Sequence, residues 1–109
     1  MPINKNYRNK YIMYISNMQH FLDESGNIPR EMPKGARELA SFMALVVDTT
    51  TKSCPSILTQ TDIRCFKKKC DGMITTELKR VNEEIHWYCL KCDNEGVISN
   101  WQGTKWDNR

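Results

Sequence analysis

The chain has 109 residues, of which 16 are Lys or Arg, 13 are Asp or Glu and five are Cys, and its formal net charge is +3. This length fits one small domain, with or without an arm, and excludes Rossmann and TIM-barrel enzymes. No apolar run approaches the ~18 residues that a membrane-spanning helix needs, and the mostly polar first ten residues, MPINKNYRNK, lack the apolar region of a signal peptide. We therefore expect a soluble cytoplasmic protein.

The first half of the chain has helical periodicity. Apolar and aromatic side chains recur at steps of three and four over residues 7–22, which predicts an amphipathic helix. An extended connector containing Pro29 and Pro33 follows. A second helix is predicted from Pro33 to Asp48, because its apolar residues form one stripe: Leu39, Phe42, Met43 and Val46.

After Thr61 the hydrophobic period changes to two. This alternation continues through residues 63–65, 73–81, 85–89 and 97–101, and polar or glycine-containing turns separate the segments. The pattern predicts four short antiparallel strands.

Four of the five cysteines form two pairs, Cys65 with Cys70 and Cys89 with Cys92. A cysteine pair in a hairpin turn points two sulfurs at one spot, and two such turns complete a tetrahedral site for Zn²⁺. Metal ligation is favoured over disulfides because cytoplasmic thiols stay reduced. We predict a structural zinc ion, since four protein ligands leave no position for a catalytic water. Four thiolates and one Zn²⁺ would lower the net charge from +3 to about +1.

Two alternatives remain open for these cysteines. All of them can be free thiols buried in a core, which is a common place for cysteine. Cys54, which lies upstream of both pairs, can also replace Cys65 as the fourth ligand. His86 precedes Cys89 by three residues, and strand alternation places the two on opposite sheet faces. We therefore do not expect His86 to bind the same metal.

Together these elements predict an α+β fold, in which two N-terminal helices pack on a small antiparallel β zinc ribbon. The predicted division is an N-terminal helical extension, residues 1–30, followed by a helix plus zinc-ribbon domain, residues 31–109.

The segment Ile85–Asp107 resembles the C-terminal part of a family of small bacterial proteins. It reads IHWYCLKCDNEGVISNWQGTKWD, and the family pattern is W-x-C-x-x-C-x-x-x-G-V-I-S-x-W-x-G-T. The similarity covers mainly residues 63–107. The family usually has C-P-x-C-G where this chain has Cys89-Leu90-Lys91-Cys92-Asp93, which leaves both sulfurs in place. The resemblance implies a zinc-ribbon-like fold and no particular activity.

We predict that the protein is a zinc-binding recognition module, either nucleic-acid binding or regulatory. Aromatic side chains stack on bases and lysines neutralise phosphates, so the candidate contact residues for nucleic acid or another partner are Lys67, Lys68, Lys69, Trp101 and Trp106. The tryptophans can instead fill a small core while the lysines remain a solvated rim.

The alternative function is a protein-interaction or homodimerising adaptor in which zinc is purely structural. Here the predicted helix over residues 7–22 docks on a partner or on a second copy, because its Tyr- and Met-rich face is typical of interfaces. An enzyme is not predicted. The sequence has no G-x-S-x-G, no glycine-rich phosphate loop and no H-E-x-x-H motif.

Overall fold

The computed structural model describes residues 13–109. This part of the chain contains five strands, one α-helix and one short 3-10 helix: β1 (Met13–Asn17), the 3-10 helix (Met18–Phe21), α1 (Lys34–Lys52), β2 (Leu58–Arg64), β3 (Met73–Leu78), β4 (Ile85–Cys89) and β5 (Glu95–Ser99). Neither helix of the described range has the length and apolar character that crossing a bilayer requires.

The five strands form one mixed sheet in the order β1-β5-β4-β3-β2. Strands β2 to β5 are an antiparallel meander, in which each strand pairs with the next one along the chain. β1 pairs in parallel with β5, and its register places Met13 opposite Glu95 and Asn17 opposite Ser99. The first described strand therefore lies beside the last.

The predicted fold class is wrong, because one α-helix and a five-stranded mixed sheet replace the two helices and the small ribbon. The helix predicted over residues 7–22 is replaced by β1 and the 3-10 helix, and its residues 7–12 lie outside the described range. The four predicted antiparallel strands are present, but β1 adds a fifth strand that is parallel to its neighbour.

The helix was mispredicted because the apolar residues of this segment fit the period of a strand as well as the period of a helix. Tyr14 and Met18 lie one helical turn apart, but Tyr14 also shares a strand face with Ser16, and this is the more buried face of β1. The extended conformation is stabilised by β5, which provides hydrogen-bond partners for the backbone of β1. Asn17 then ends the strand, because its side chain accepts a hydrogen bond of 3.0 Å from the Gln19 N–H and so caps the 3-10 helix.

Helix α1 packs on one face of the sheet, where Phe42 contacts the Trp87 ring with centroids 4.9 Å apart. The helix continues past the predicted end at Asp48 to Lys52. β-branched Thr50 and Thr51 are tolerated because both are buried and hydrogen-bonded. The Thr50 hydroxyl donates to the Thr76 hydroxyl on β3 at 2.7 Å, and the Thr51 hydroxyl donates to the Val47 carbonyl at 2.7 Å.

The other face of the sheet, here called the open face, points away from α1. Strand alternation assigns to it the residues between the core positions. Its apolar and aromatic side chains are Met13 and Ile15 on β1, Leu58 on β2, Met73 on β3, Tyr88 on β4 and Val97 on β5. The exposed fractions of Ile15, Leu58 and Met73 are 80%, 57% and 51%. The described chain thus leaves apolar surface on this face in contact with solvent.

Candidate metal centre

The four paired cysteines lie at one end of the sheet. Cys65 and Cys70 are in the connection from β2 to β3, whereas Cys89 ends β4 and Cys92 lies in the turn to β5. In an antiparallel meander these two connections open at the same end, and the β3–β4 turn lies at the other. The topology therefore brings both pairs together without any special folding of the loops.

The two cysteine loops close in the same way. The Cys65 N–H donates to the Gly72 carbonyl and the Cys89 N–H donates to the Asn94 carbonyl, each at 2.9 Å. The first closure spans two residues more than the second, which matches the difference between C-x₄-C and C-x₂-C. The two additional residues of the first pair therefore lengthen its loop without changing how the loop closes.

The four Sγ atoms all lie within 4.8 Å of one another. The Cys65 and Cys92 sulfurs are 3.5 Å apart, and the Cys70 and Cys89 sulfurs are 3.7 Å apart. A tetrahedral zinc site with Zn–S bonds of about 2.3 Å has sulfurs about 3.8 Å apart, so this spacing fits one metal ion. The predicted convergence of these four cysteines is confirmed, and they can form a metal-binding site.

Backbone amides and one glycine support the sulfurs. The Gly72 N–H donates to the Cys70 sulfur at 3.4 Å, and the Lys91 N–H donates to the Cys89 sulfur at 3.3 Å. A Cβ atom on Gly72 would lie 2.8 Å from both the Cys89 sulfur and the Lys91 Cβ. Only glycine therefore lets the first loop approach the second this closely.

Burial and hydrogen bonding affect the thiols unequally in the metal-free chain. Burial raises the pKa of Cys65 to about 12. The pKa of Cys89 is lowered: burial acts against this, but the backbone N–H groups of Lys91 and Cys92 and the thiol of Cys70 together outweigh it. Burial also raises the pKa of Cys92. Since thiolates are the metal ligands, metal binding must displace protons from these sulfurs.

Basic side chains surround the cluster. Lys67, Lys68 and Lys69 are exposed on the first loop, and within residues 13–109 none of them forms an ion pair. Lys91 on the second loop forms an ion pair with Asp71 on the first. This pair, which the spacing of the cysteines gave no reason to expect, links the two loops beside the sulfurs.

Two further residues considered as ligands lie elsewhere. Cys54 is outside the cluster, where its thiol contacts the Thr50 carbonyl at 4.0 Å, and Cys65 occupies the position that Cys54 could have taken. His86 is on the open face, as strand alternation predicts, and its Nε2 lies 2.5 Å from the Glu95 carboxylate.

The two candidate contact tryptophans differ in how far they are exposed. Trp101 is fully buried and its indole N–H donates to the Glu83 carbonyl at 2.7 Å. The Arg109 guanidinium covers its ring at 4.6 Å, so a base has no free ring face on which to stack. Trp106 is half-buried beside the end of α1, where the nearby Asn108 N–H donates to the Thr51 hydroxyl at 2.9 Å. Trp101 therefore belongs to the core.

Comparisons of the chain with protein-family models, with curated proteins and with solved structures found no match.

Proposed function

We propose that this protein is a zinc-stabilised binding module in which the metal is structural. The observation that supports this proposal is the four-sulfur cluster, because it joins the two loops at one end of the sheet. Four sulfurs complete the coordination of Zn²⁺ and leave no position for a substrate. Zinc would neutralise the mutual repulsion of four thiolates and hold the two loops together.

Zinc content and its link to folding test this function. Purified protein is expected to contain about one zinc per chain, and chelation should unfold the β2–β3 and β4–β5 connections. Cys92→Ser should lower zinc affinity strongly, whereas Cys54→Ser is the matched control because Cys54 lies outside the cluster. A chain that purifies without metal and stays fully folded after prolonged chelation would overturn the proposal.

The surface that best fits a partner is the open face, and the partner class it favours is protein. Its exposed apolar side chains are typical of interfaces. Glu77 and Glu95 lie among them, where Glu77 pairs with Lys79 and Glu95 contacts His86, so these groups form no basic patch that would attract nucleic-acid phosphates. Tyr88→Asp should therefore weaken binding of a protein partner while leaving zinc content unchanged.

A second candidate function is binding of single-stranded nucleic acid by the loop of the first cysteine pair. It is favoured by three consecutive exposed lysines, Lys67 to Lys69, beside the cluster. Replacing all three with alanine should weaken binding and reduce its salt dependence, because fewer phosphates would be neutralised. A control variant with the same charge change replaces lysines outside both cysteine loops: Lys52, Lys79 and Lys105. Equal affinity of both variants, or binding that does not depend on salt, would exclude this function.

A further inference from the structure

Strand β1 forms an edge of the sheet, and its sequence lacks the features that usually protect an edge. Its five residues, Met-Tyr-Ile-Ser-Asn, include no charged residue, no proline and no glycine. Exposed edge strands of soluble proteins usually carry a lysine, a proline or a bulge, because the unpaired backbone groups otherwise bind another strand. Within residues 13–109, no strand pairs with the outer side of β1.

The opposite edge is different. β2 carries Asp62 and Arg64, and its register with β3 shifts between Gln60 and Arg64. Charges and an irregular ladder both oppose the addition of a further strand. In the part of the chain that the structure describes, the sheet thus has one protected edge, β2, and one unprotected edge, β1.

We infer that the β1 edge pairs antiparallel with β1 of a second copy of this chain. This inference rests on the proposed function, in which the sheet binds protein, and it names the partner. A two-fold axis at Ile15 would place Ile15 opposite Ile15 of the second copy, on the open face. Ile15 is 80% exposed in the single chain. Directly opposed residues of antiparallel strands have Cβ atoms about 5 Å apart, so the two side chains would cover each other.

Electrostatics favour the second copy as the occupant. β1 has no charge, so pairing it with itself places no like charges opposite each other. With zinc bound the net charge of each copy would be about +1, which leaves little long-range repulsion between copies. A strand of five residues is a short interface, however, so the dimer should be reversible and depend on protein concentration.

Sedimentation of the zinc-loaded full chain tests the inference. The mass should rise from 12.8 kDa towards twice that value as the concentration is raised to about 1 mM. Ile15→Lys should weaken this association about tenfold or more, because it places two ammonium groups opposite each other. The matched control is Val81→Lys in the β3–β4 turn, which should associate like the unmodified chain, since Val81 is 99% exposed and lies outside β1.

Zinc content, measured on each sample, distinguishes the two proposals. A chain that holds zinc but stays monomeric up to about 1 mM would overturn the dimer and leave the zinc module intact. The edge would then belong to another occupant, such as residues 1–12 or a different protein. Equal association of the Ile15→Lys and Val81→Lys variants would also overturn the inference, because the contact would then not involve β1.

Discussion

Gly96 lies directly opposite Trp87 in the β4–β5 pairing, and the indole ring occupies the space that a side chain at position 96 would need. A Cβ atom at Gly96 would be 2.5 Å from the indole nitrogen. Trp87 is almost fully buried and also contacts Phe42 and Tyr14. The Trp87 ring can therefore take this position only because Gly96 has no side chain.

Gly96→Ala is expected to lower the free energy of unfolding by about 1–3 kcal/mol, because the ring must move in a close-packed core. Urea denaturation of the zinc-loaded protein, followed by circular dichroism, measures this change. Gly35→Ala is the control, since a Cβ atom there meets no atom within 4 Å. The control should be neutral or slightly stabilising. Equal stability of the two variants would contradict the close packing of the Trp87 ring against Gly96.

Gly72→Ala is expected to affect metal binding more than it affects folding of the rest of the sheet. Its Cβ atom would lie 2.8 Å from the Cys89 sulfur, so the two cysteine loops would have to separate. Changes to groups that orient metal ligands typically lower affinity by about 10–100-fold. Competition with a chromophoric chelator measures the affinity, again with Gly35→Ala as the control. Unchanged zinc affinity would mean that the loops do not need this close approach.

The hydrogen bond between Thr50 and Thr76 predicts a non-additive pair of substitutions. Both residues are fully buried, and their hydroxyl oxygens are 2.7 Å apart between α1 and β3. Thr50→Val leaves the Thr76 hydroxyl without this partner and should cost about 1–3 kcal/mol of stability. Replacing both residues with valine should cost less than the single change, because no unpaired hydroxyl remains. Chemical denaturation of the three proteins tests this, and simple additivity would argue against the bond.

The Asp107 carboxylate should make the free energy of unfolding depend on pH. Its pKa is lowered from 3.8 because the Arg109 side chain donates to it, although burial opposes this, and the Gly103 N–H donates to it at 2.9 Å. A lowered pKa in the folded state means that the carboxylate stabilises the fold above pH 3.8. This contribution is lost as the pH falls through the folded-state value. A carbon-detected NMR titration should therefore find the Asp107 midpoint below 3.8, and Arg109→Ala should raise it.

At pH 7, Asp107→Asn is expected to lower the free energy of unfolding by about 1–2 kcal/mol, below the upper end of about 3 kcal/mol for hydrogen bonds to a charged group, because asparagine keeps one oxygen acceptor. Asp62→Asn on β2 is the matched control, because Asp62 is exposed. A midpoint for Asp107 at or above 3.8, or equal stability of the two variants, would contradict the role given to this carboxylate.

The candidate metal site could be predicted from the sequence because it depends on the spacing of cysteines within two short loops. The spacing of Cys65, Cys70, Cys89 and Cys92 requires only two turns, and an antiparallel meander brings alternate turns together. The support given by Gly72 and by the Asp71–Lys91 pair was not predictable, since both depend on the distance between two loops. The identity of the metal as zinc stays a prediction.

The first strand was mispredicted because its partner is remote in sequence. Tyr14 and Met18 satisfy a helical period, and only the edge of β5 makes the extended alternative favourable. The second helix was predicted more closely, because the stripe from Leu39 to Val46 faces one core whatever the sheet order. Its extension to Lys52 depends on hydrogen bonds of Thr50 and Thr51 to distant residues, which the sequence does not reveal.

The parallel pairing of β1 with β5 also constrains how the protein is made. On the ribosome, Met13 is synthesised 82 residues before its register partner Glu95. β1 must therefore wait unpaired while the meander folds, and closing so long a loop slows the final step of folding. Cells that make this protein would have to keep the uncharged strand β1 from pairing with neighbouring nascent chains until β5 has been synthesised.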